Sequence, residues 1–234
     1  MDLVEQLLWP GLGTGALAAV LGWVTARFLV PRLPEPPLDP QDDFVKPPYA
    51  SLVGPPVVVP ALVAGFVAGV VAPVAGALIW AAVALAGVGA ALVVVDAHTT
   101  YLPARLHWLT TAITVVAGLV GVFVVADSAR WLPMLAGALF GAVASYALFW
   151  FISWIGQGFG YGDVRLAALV GGFAGALGIQ QWWMALLSAA IIGAGLAIGV
   201  SLWRRRHPSP LGTAFAYGPA LWAGPFVMLW LELR

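Results

Sequence analysis

Near the middle of the chain lies the stretch Gly156-Gln157-Gly158-Phe159-Gly160-Tyr161-Gly162-Asp163-Val164-Arg165-Leu166, between two long apolar segments. Four glycines within seven residues disfavour a helix, because each costs roughly 1 kcal/mol relative to alanine in a helix interior. A carboxylate, Asp163, then follows at the start of the next apolar segment. An ionisable group in or beside a membrane is energetically expensive and is therefore a candidate for function.

The composition is that of an integral membrane protein. Of the 234 residues, 62% are hydrophobic and 9% are charged, whereas soluble domains carry about 25% charged residues. The absence of cysteine excludes disulfides and thiolate metal sites, and the three histidines form no metal-binding pattern, so we expect no metal. A net charge of zero provides no basic surface for nucleic acid.

Apolar segments near the length of about 20 residues that a spanning helix requires predict an all-α integral membrane protein with about eight transmembrane helices. The segments cover approximately residues 12–30, 57–72, 74–95, 109–126, 132–154, 164–178, 182–203 and 213–231. Pro73 predicts a tight turn between the second and third segments, and Gln180-Gln181 are expected to separate the sixth from the seventh. Residues 1–56 are interpreted as the first transmembrane helix and a short Pro-rich cytoplasmic loop, and residues 57–234 as a polytopic core.

Lysine and arginine residues in the loops predict the orientation. With eight spans, eight of the ten basic residues fall on one side, which we expect to be cytoplasmic, and only Arg130 and Arg234 fall on the other. Both termini are then predicted to lie outside.

Small residues and tryptophans predict how the helices pack. Four glycine pairs spaced four residues apart predict close helix packing: Gly65/Gly69, Gly137/Gly141, Gly171/Gly175 and Gly195/Gly199. Tryptophans near span ends, Trp182 among them, are typical of an aromatic belt at the membrane interface.

Three acidic residues lie at span boundaries: Asp96, Asp127 and Asp163. Asp127 ends the fourth span on the outside, where an exposed interfacial acid is expected. Asp96 and Asp163 both belong to the cytoplasmic face, so of the three only this pair shares a site without crossing the bilayer. The alternative is that both acids merely mark helix ends.

Two neighbouring carboxylates are what aspartic proteolysis requires. They cannot both ionise easily, so they share a proton. The ionised carboxylate takes a proton from the water that attacks the scissile carbonyl, and the protonated one donates to that carbonyl and to the leaving amine.

Three blocks of the sequence contain a further pattern. They are Asp96-Ala97-His98-Thr99-Thr100-Tyr101-Leu102-Pro103, Gly160-Tyr161-Gly162-Asp163-Val164-Arg165-Leu166-Ala167 and Ala214-Phe215-Ala216-Tyr217-Gly218-Pro219-Ala220-Leu221. These blocks resemble the type IV prepilin peptidases, a family of membrane aspartic proteases. The second block is similar to the family's Gly-x-Gly-Asp motif, and Arg32-Leu33-Pro34 is a weaker fourth match.

The resemblance implies that Asp96 and Asp163 are the catalytic aspartates of an endopeptidase in the cytoplasmic membrane, with its active site facing the cytoplasm. The implied substrates are prepilins or pseudopilins of type IV pilus or type II secretion systems, cleaved after a short basic leader. It also implies supporting or substrate-binding roles for residues of the matching blocks, with Arg165 either tuning the acids or anchoring the cytoplasmic face. These residues are Gly160, Gly162, Arg165, Pro103, Gly218 and Pro219.

The chain departs from the family pattern in ways that bear on cofactors. Ala104 and Arg165 replace an acid and a lysine that are common in the family, and the first cytoplasmic loop lacks the Cys-x-x-Cys motifs of bifunctional members. We therefore expect no cofactor, with S-adenosylmethionine needed only if methyltransferase activity is retained. The alternative function is a non-catalytic membrane protein, a transporter or an assembly scaffold, although no charged residue falls mid-span as ion-coupled transport favours.

Overall fold

A computed structural model describes residues 3–35, 47–156, 160–207 and 215–234, with side chains from residue 8 onward. Predictions for residues 36–46 of the Pro-rich loop, 157–159 of the central stretch and 208–214, including Ala214, lie outside the described residues. Every regular element in the described part of the chain is helical. The α-helices are α1 (Leu3–Val24), α2 (Pro55–Val70), α3 (Ile79–Thr99), α4 (Ala104–Val120), α5 (Ser128–Ile155), α6 (Tyr161–Leu177), α7 (Ile179–Arg204) and α8 (Gly218–Leu231).

Five helical stretches are long and apolar enough to cross a membrane, which supports an integral membrane protein. They are Leu8–Arg32, Ala72–Thr99, Ala104–Val125, Ser128–Ile155 and Ile179–Arg204. Helices α2 and α8 are apolar but shorter, and α6 has 17 residues. The number of eight spans and the orientation of the termini therefore stay predictions.

Helix α3 lies at the centre of the bundle. Its residues from Ala81 to Asp96 are all buried, and α1, α2, α4 and α8 pack against it. A helix that is apolar on all sides is buried on all sides, and the alanines, glycines and valines of α3 allow neighbours to approach from every direction. Helices α5 and α6 form one antiparallel pair, and α7 and α8 form another.

Two connections differ in how well the sequence predicted them. The tight turn predicted at Pro73 is confirmed, since residues 72–78 form a 3₁₀ turn in which Gly76 has φ of 56°. The separation predicted at Gln180-Gln181 is wrong, because both residues lie inside α7. Gly178 makes the break instead, with φ of 147°, a conformation that side chains other than glycine rarely adopt.

The predicted close packing is confirmed at three glycine pairs and wrong at the fourth. Gly137 and Gly141 of α5 face α6, where a β-carbon on Gly141 would lie 2.1 Å from the Gly171 carbonyl oxygen, and Gly65 and Gly69 lie against α1. In contrast, a β-carbon on Gly195 or Gly199 would meet no atom within 4 Å among the described residues.

The interfacial position predicted for Trp182 is also wrong. This side chain is buried, and its indole Nε1–H donates to Oγ of Ser145 at 2.8 Å. Trp182 therefore fastens α7 to α5, a buried role in which its polar N–H has a partner.

Candidate active site

Asp96 lies near the C-terminal end of α3 and is only 4% exposed. Its Oδ2 accepts a hydrogen bond from the backbone N–H of Gly218 at 3.0 Å. Gly218 begins α8, and Pro219 stands in the first turn of that helix, where the fixed φ of proline is compatible with a helix. The unpaired N–H groups and the dipole at a helix N-terminus stabilise a carboxylate.

Asp163 lies in the first turn of α6. This helix begins at Tyr161, three residues before the start predicted from the sequence, so Asp163 is inside the helix at its third position. Its Oδ2 accepts from the backbone N–H of Gly160 at 3.2 Å, as an acidic residue does in a capping box. The side chain is half-buried.

The structure brings the two acids to one site. Leu102 follows Asp96 by six positions, and it packs against Gly162, the residue before Asp163, so closely that a β-carbon on Gly162 would lie 2.8 Å from Cβ of Leu102. Burial raises the pKa of Tyr217, and the Asp163 carboxylate raises it further. Since Tyr217 adjoins Gly218, the partner of Asp96, both acids lie beside the start of α8.

Asp127 does not belong to this site. It is the N-cap of α5, where its side chain accepts from the backbone N–H of Ala129. Its predicted exposure is confirmed. Helix α5 has 28 residues, so about 42 Å of helix separates Asp127 from the end that precedes Asp163.

The predicted supporting residues differ in their steric surroundings. A β-carbon on Gly218 would lie 2.5 Å from Oδ2 of Asp96, and one on Gly162 would lie 2.8 Å from Cβ of Leu102. A β-carbon on Gly160 would find its nearest described neighbour, Oδ2 of Asp163, at 3.8 Å. Two of the three glycines are thus positions where a backbone or side chain approaches too closely for any other residue.

Pro103 and Arg165 act on neighbouring elements. Pro103 is buried, and its carbonyl oxygen accepts from the backbone N–H of His107 at 2.9 Å, which begins α4. The Arg165 guanidinium lies 5.2 Å from the centre of the Tyr161 ring, and its charge acts on His107. Arg165 is therefore directed to the space between α4 and α6.

Three tyrosines around the acids were not predicted as site residues. Tyr49 is 1% exposed, and the Glu35 carboxylate accepts from its backbone N–H at 2.9 and 3.2 Å. Burial raises the pKa of Tyr49, and the charges of Tyr101, Glu35 and Asp96 add to the effect. Tyr101 and Tyr217 lie within the blocks quoted above, whereas Tyr49 lies in the predicted connector and has no sequence signal.

These features define a polytopic helical membrane protein with paired aspartates at one end of its bundle. The chain is 38% identical over 107 residues to the prepilin leader peptidase/N-methyltransferase of Pseudomonas putida, covering 43% of this chain and 35% of that protein. It is 32% identical over 148 residues to the protein of the same description from Escherichia coli (strain K12), covering 59% and 57%. The Pseudomonas aeruginosa protein of that description is 30% identical over 143 residues, covering 60% and 46%.

These similarities support a relationship between the matched part of the chain and the type IV prepilin peptidase family. The chain spans between 35% and 57% of the length of these curated relatives. No family model matches the sequence, and no solved structure matches it.

Proposed function

We propose that the chain is a membrane-embedded aspartic endopeptidase that removes the short basic leader from prepilin-like substrates at the cytoplasmic face. Asp96 and Asp163 are its catalytic pair. The observation that carries the proposal is geometric: Leu102, just after the helix that holds Asp96, packs against Gly162, the residue before Asp163, although the two acids come from different helices, α3 and α6.

The hydrogen bonds of the two acids support a division of labour between their oxygens. The N–H groups of Gly218 and Gly160 each hold one oxygen, Oδ2, of Asp96 and Asp163 respectively. We expect the other oxygen of each carboxyl to face water and substrate. The ionised carboxylate then takes a proton from the attacking water, while the protonated one donates to the scissile carbonyl and afterwards to the leaving amine.

The burial of the acids favours a substrate that reaches them from the membrane surface. Asp96 is buried, whereas Asp163 is half-buried and stands at the start of its helix. Low-dielectric surroundings strengthen the interaction between the carboxyls and hence the sharing of one proton. A prepilin-like substrate meets the pair where its extended leader joins its apolar helix.

The test is cleavage of a prepilin-like substrate by membranes that contain Asp96→Asn, Asp163→Asn or the wild-type chain at equal abundance. Each single change should lower cleavage at least a hundredfold, since general acid and base catalysis contributes about 10²–10⁴. Asp127→Asn is the matched control, because this acid is exposed at the start of α5, and it should cleave at the wild-type rate.

Normal cleavage by Asp163→Asn would refute the assignment of the pair. If the wild-type chain in its native membrane cleaves no prepilin-like substrate, while pilus or secretion assembly still requires it, the chain is an assembly scaffold.

Methyl transfer is left outside the proposal. The curated relatives are named N-methyltransferases as well as peptidases, a reaction that uses S-adenosylmethionine. The described cavity between α4, α5 and α6 is apolar except at the end near Arg165 and His107, whereas the adenine, ribose and amino-acid groups of this cofactor require hydrogen-bond partners along their length. The cavity therefore does not fit S-adenosylmethionine.

A further inference from the structure

A cavity of about 520 Å³ lies between α4, α5 and α6. We call it the lateral slot. Its walls are aliphatic and aromatic along most of their length, and they include Val115, Leu119, Leu139, Leu169 and Phe173. An apolar space that opens between spanning helices takes up apolar chains from the bilayer, because an empty space deprives its lining of dispersion contacts.

One end of the lateral slot is polar. Arg165, His107, Tyr146 and Tyr161 line this end, and Arg165 follows Asp163 by two positions. The hydroxyls of the two tyrosines are 3.3 Å apart. The slot therefore joins an apolar groove to a cationic end at the same membrane face as the acids.

Two buried nitrogens at the polar end have no hydrogen-bond partner among the described residues. They are Nε of Arg165 and Nδ1 of His107. His107 is only 2% exposed, so bulk water does not replace the missing partner. Buried polar atoms are nearly always hydrogen-bonded, so these two nitrogens mark a polar end with few internal partners. The half-buried guanidinium of Arg165 lines the slot and carries the positive charge that suits an anionic group.

The dimensions of the slot fit a single extended chain. Its lining runs from Tyr161 to Ala176 on α6, and from His107 on α4 to Val122 just after that helix, or about 22 Å along the helix axes. This length is comparable to the depth of one leaflet, about 15 Å of hydrocarbon.

We propose that the lateral slot is a binding site for an anionic phospholipid, with one acyl chain between α4, α5 and α6 and the phosphate at Arg165. Basic pockets between membrane helices at the cytoplasmic face suit anionic headgroups. The proposal is independent of the peptidase activity, because binding is measured without substrate.

The experiment is native mass spectrometry of the purified full chain with phosphatidylglycerol or phosphatidylethanolamine of identical acyl chains. We expect the wild-type chain to retain phosphatidylglycerol about fivefold more strongly, the preference expected of one arginine near an anionic headgroup. Arg165→Gln should remove this preference. Arg105→Gln is the matched control, since Arg105 is exposed on the same helix end as His107 and does not line the slot.

A second pair of variants tests the acyl-chain part of the site. Ala142 lines the slot on α5, whereas its neighbour Val143 is exposed outside it. Ala142→Phe should lower retention of both lipids, and Val143→Phe should leave it unchanged. Added phosphatidylglycerol should raise the midpoint temperature of thermal unfolding for the wild-type chain and not for Arg165→Gln. This comparison separates a loss of lipid binding from a folding defect.

Equal retention of the two lipids by the wild-type chain would overturn the proposal, as would equal losses in Arg165→Gln and Arg105→Gln. A photo-crosslinker at position 142 that captures the apolar helix of a prepilin-like substrate, without competition from phosphatidylglycerol, would instead assign the slot to the substrate. Loss of cleavage in Asp96→Asn with unchanged lipid retention would keep the two proposals separate.

Discussion

The backbone N–H of Gly218 donates to Oδ2 of Asp96 at 3.0 Å across 122 positions of the sequence. The same glycine leaves no room for a side chain, because a β-carbon would lie 2.5 Å from that oxygen. The first residue of α8 thus donates a hydrogen bond to Asp96, and the Asp96 carboxyl in turn leaves no space for a side chain at that position. This relationship makes Gly218 a positioning residue for the proposed catalytic pair.

Gly218→Ala should therefore lower cleavage of a prepilin-like substrate by at least about tenfold, because small displacements of catalytic groups cost large factors in rate. The measurement is the cleavage rate at equal protein abundance in membranes. Gly195→Ala is the control, since a β-carbon there meets no described atom within 4 Å. Wild-type cleavage by Gly218→Ala would show that α8 does not position Asp96.

The two glycines before Asp163 should respond differently to alanine. Gly162→Ala drives a β-carbon against Leu102 at 2.8 Å, so we expect the first turn of α6 to shift and cleavage to fall several-fold or more. Gly160→Ala should be tolerated, because its φ of −75° suits alanine and the nearest described neighbour would be 3.8 Å away. Parallel cleavage assays of the two variants measure this difference. Equal losses would mean that both glycines serve backbone contact with the substrate.

The seam between α5 and α6 should be sensitive to added volume. Gly141→Val places atoms where the Gly171 carbonyl oxygen already lies within 2.1 Å of a β-carbon. Overpacking typically costs about 1–3 kcal/mol of unfolding free energy. Thermal unfolding in detergent should show a lower midpoint for Gly141→Val and little change for Gly199→Val, whose surroundings are open. A midpoint that is equal in the two variants would contradict the packing described.

The pH dependence of cleavage should be bell-shaped if the acids share a proton. At low pH both carboxyls are protonated and no base remains, whereas at high pH both are ionised and no acid remains. The two limbs of kcat/KM belong to the pair as a whole. The profile of Asp127→Asn should superimpose on that of the wild-type chain, and a wild-type profile with only one limb would argue against a shared proton.

Much of the fold follows from local physical chemistry that the sequence displays. Long apolar segments must be helical in a bilayer because each backbone polar group needs an internal partner, and α1 to α8 coincide with the predicted segments to within a few residues at most ends. Pro73 and the paired glycines of α5 and α6 act through backbone geometry and close contact, so their roles were also predicted. The predictions for Gln180-Gln181 and Trp182 were wrong because they used the polarity of these residues alone. Gly178 sets the end of α6, and the hydrogen bond to Ser145 of α5 holds Trp182 inside the bundle.

The same distinction between local sequence and tertiary contacts applies to the candidate site. The sequence alone determined that the chain is a helical membrane protein and that Asp96 and Asp163 fall at span ends on one predicted face, because hydrophobic length and charge are properties of short segments. Only the tertiary structure decided that Gly218 binds Asp96, that Tyr49 packs beside it, and that Arg165 faces a slot between helices. Those contacts join residues far apart in the chain, and helix packing alone sets which of them meet.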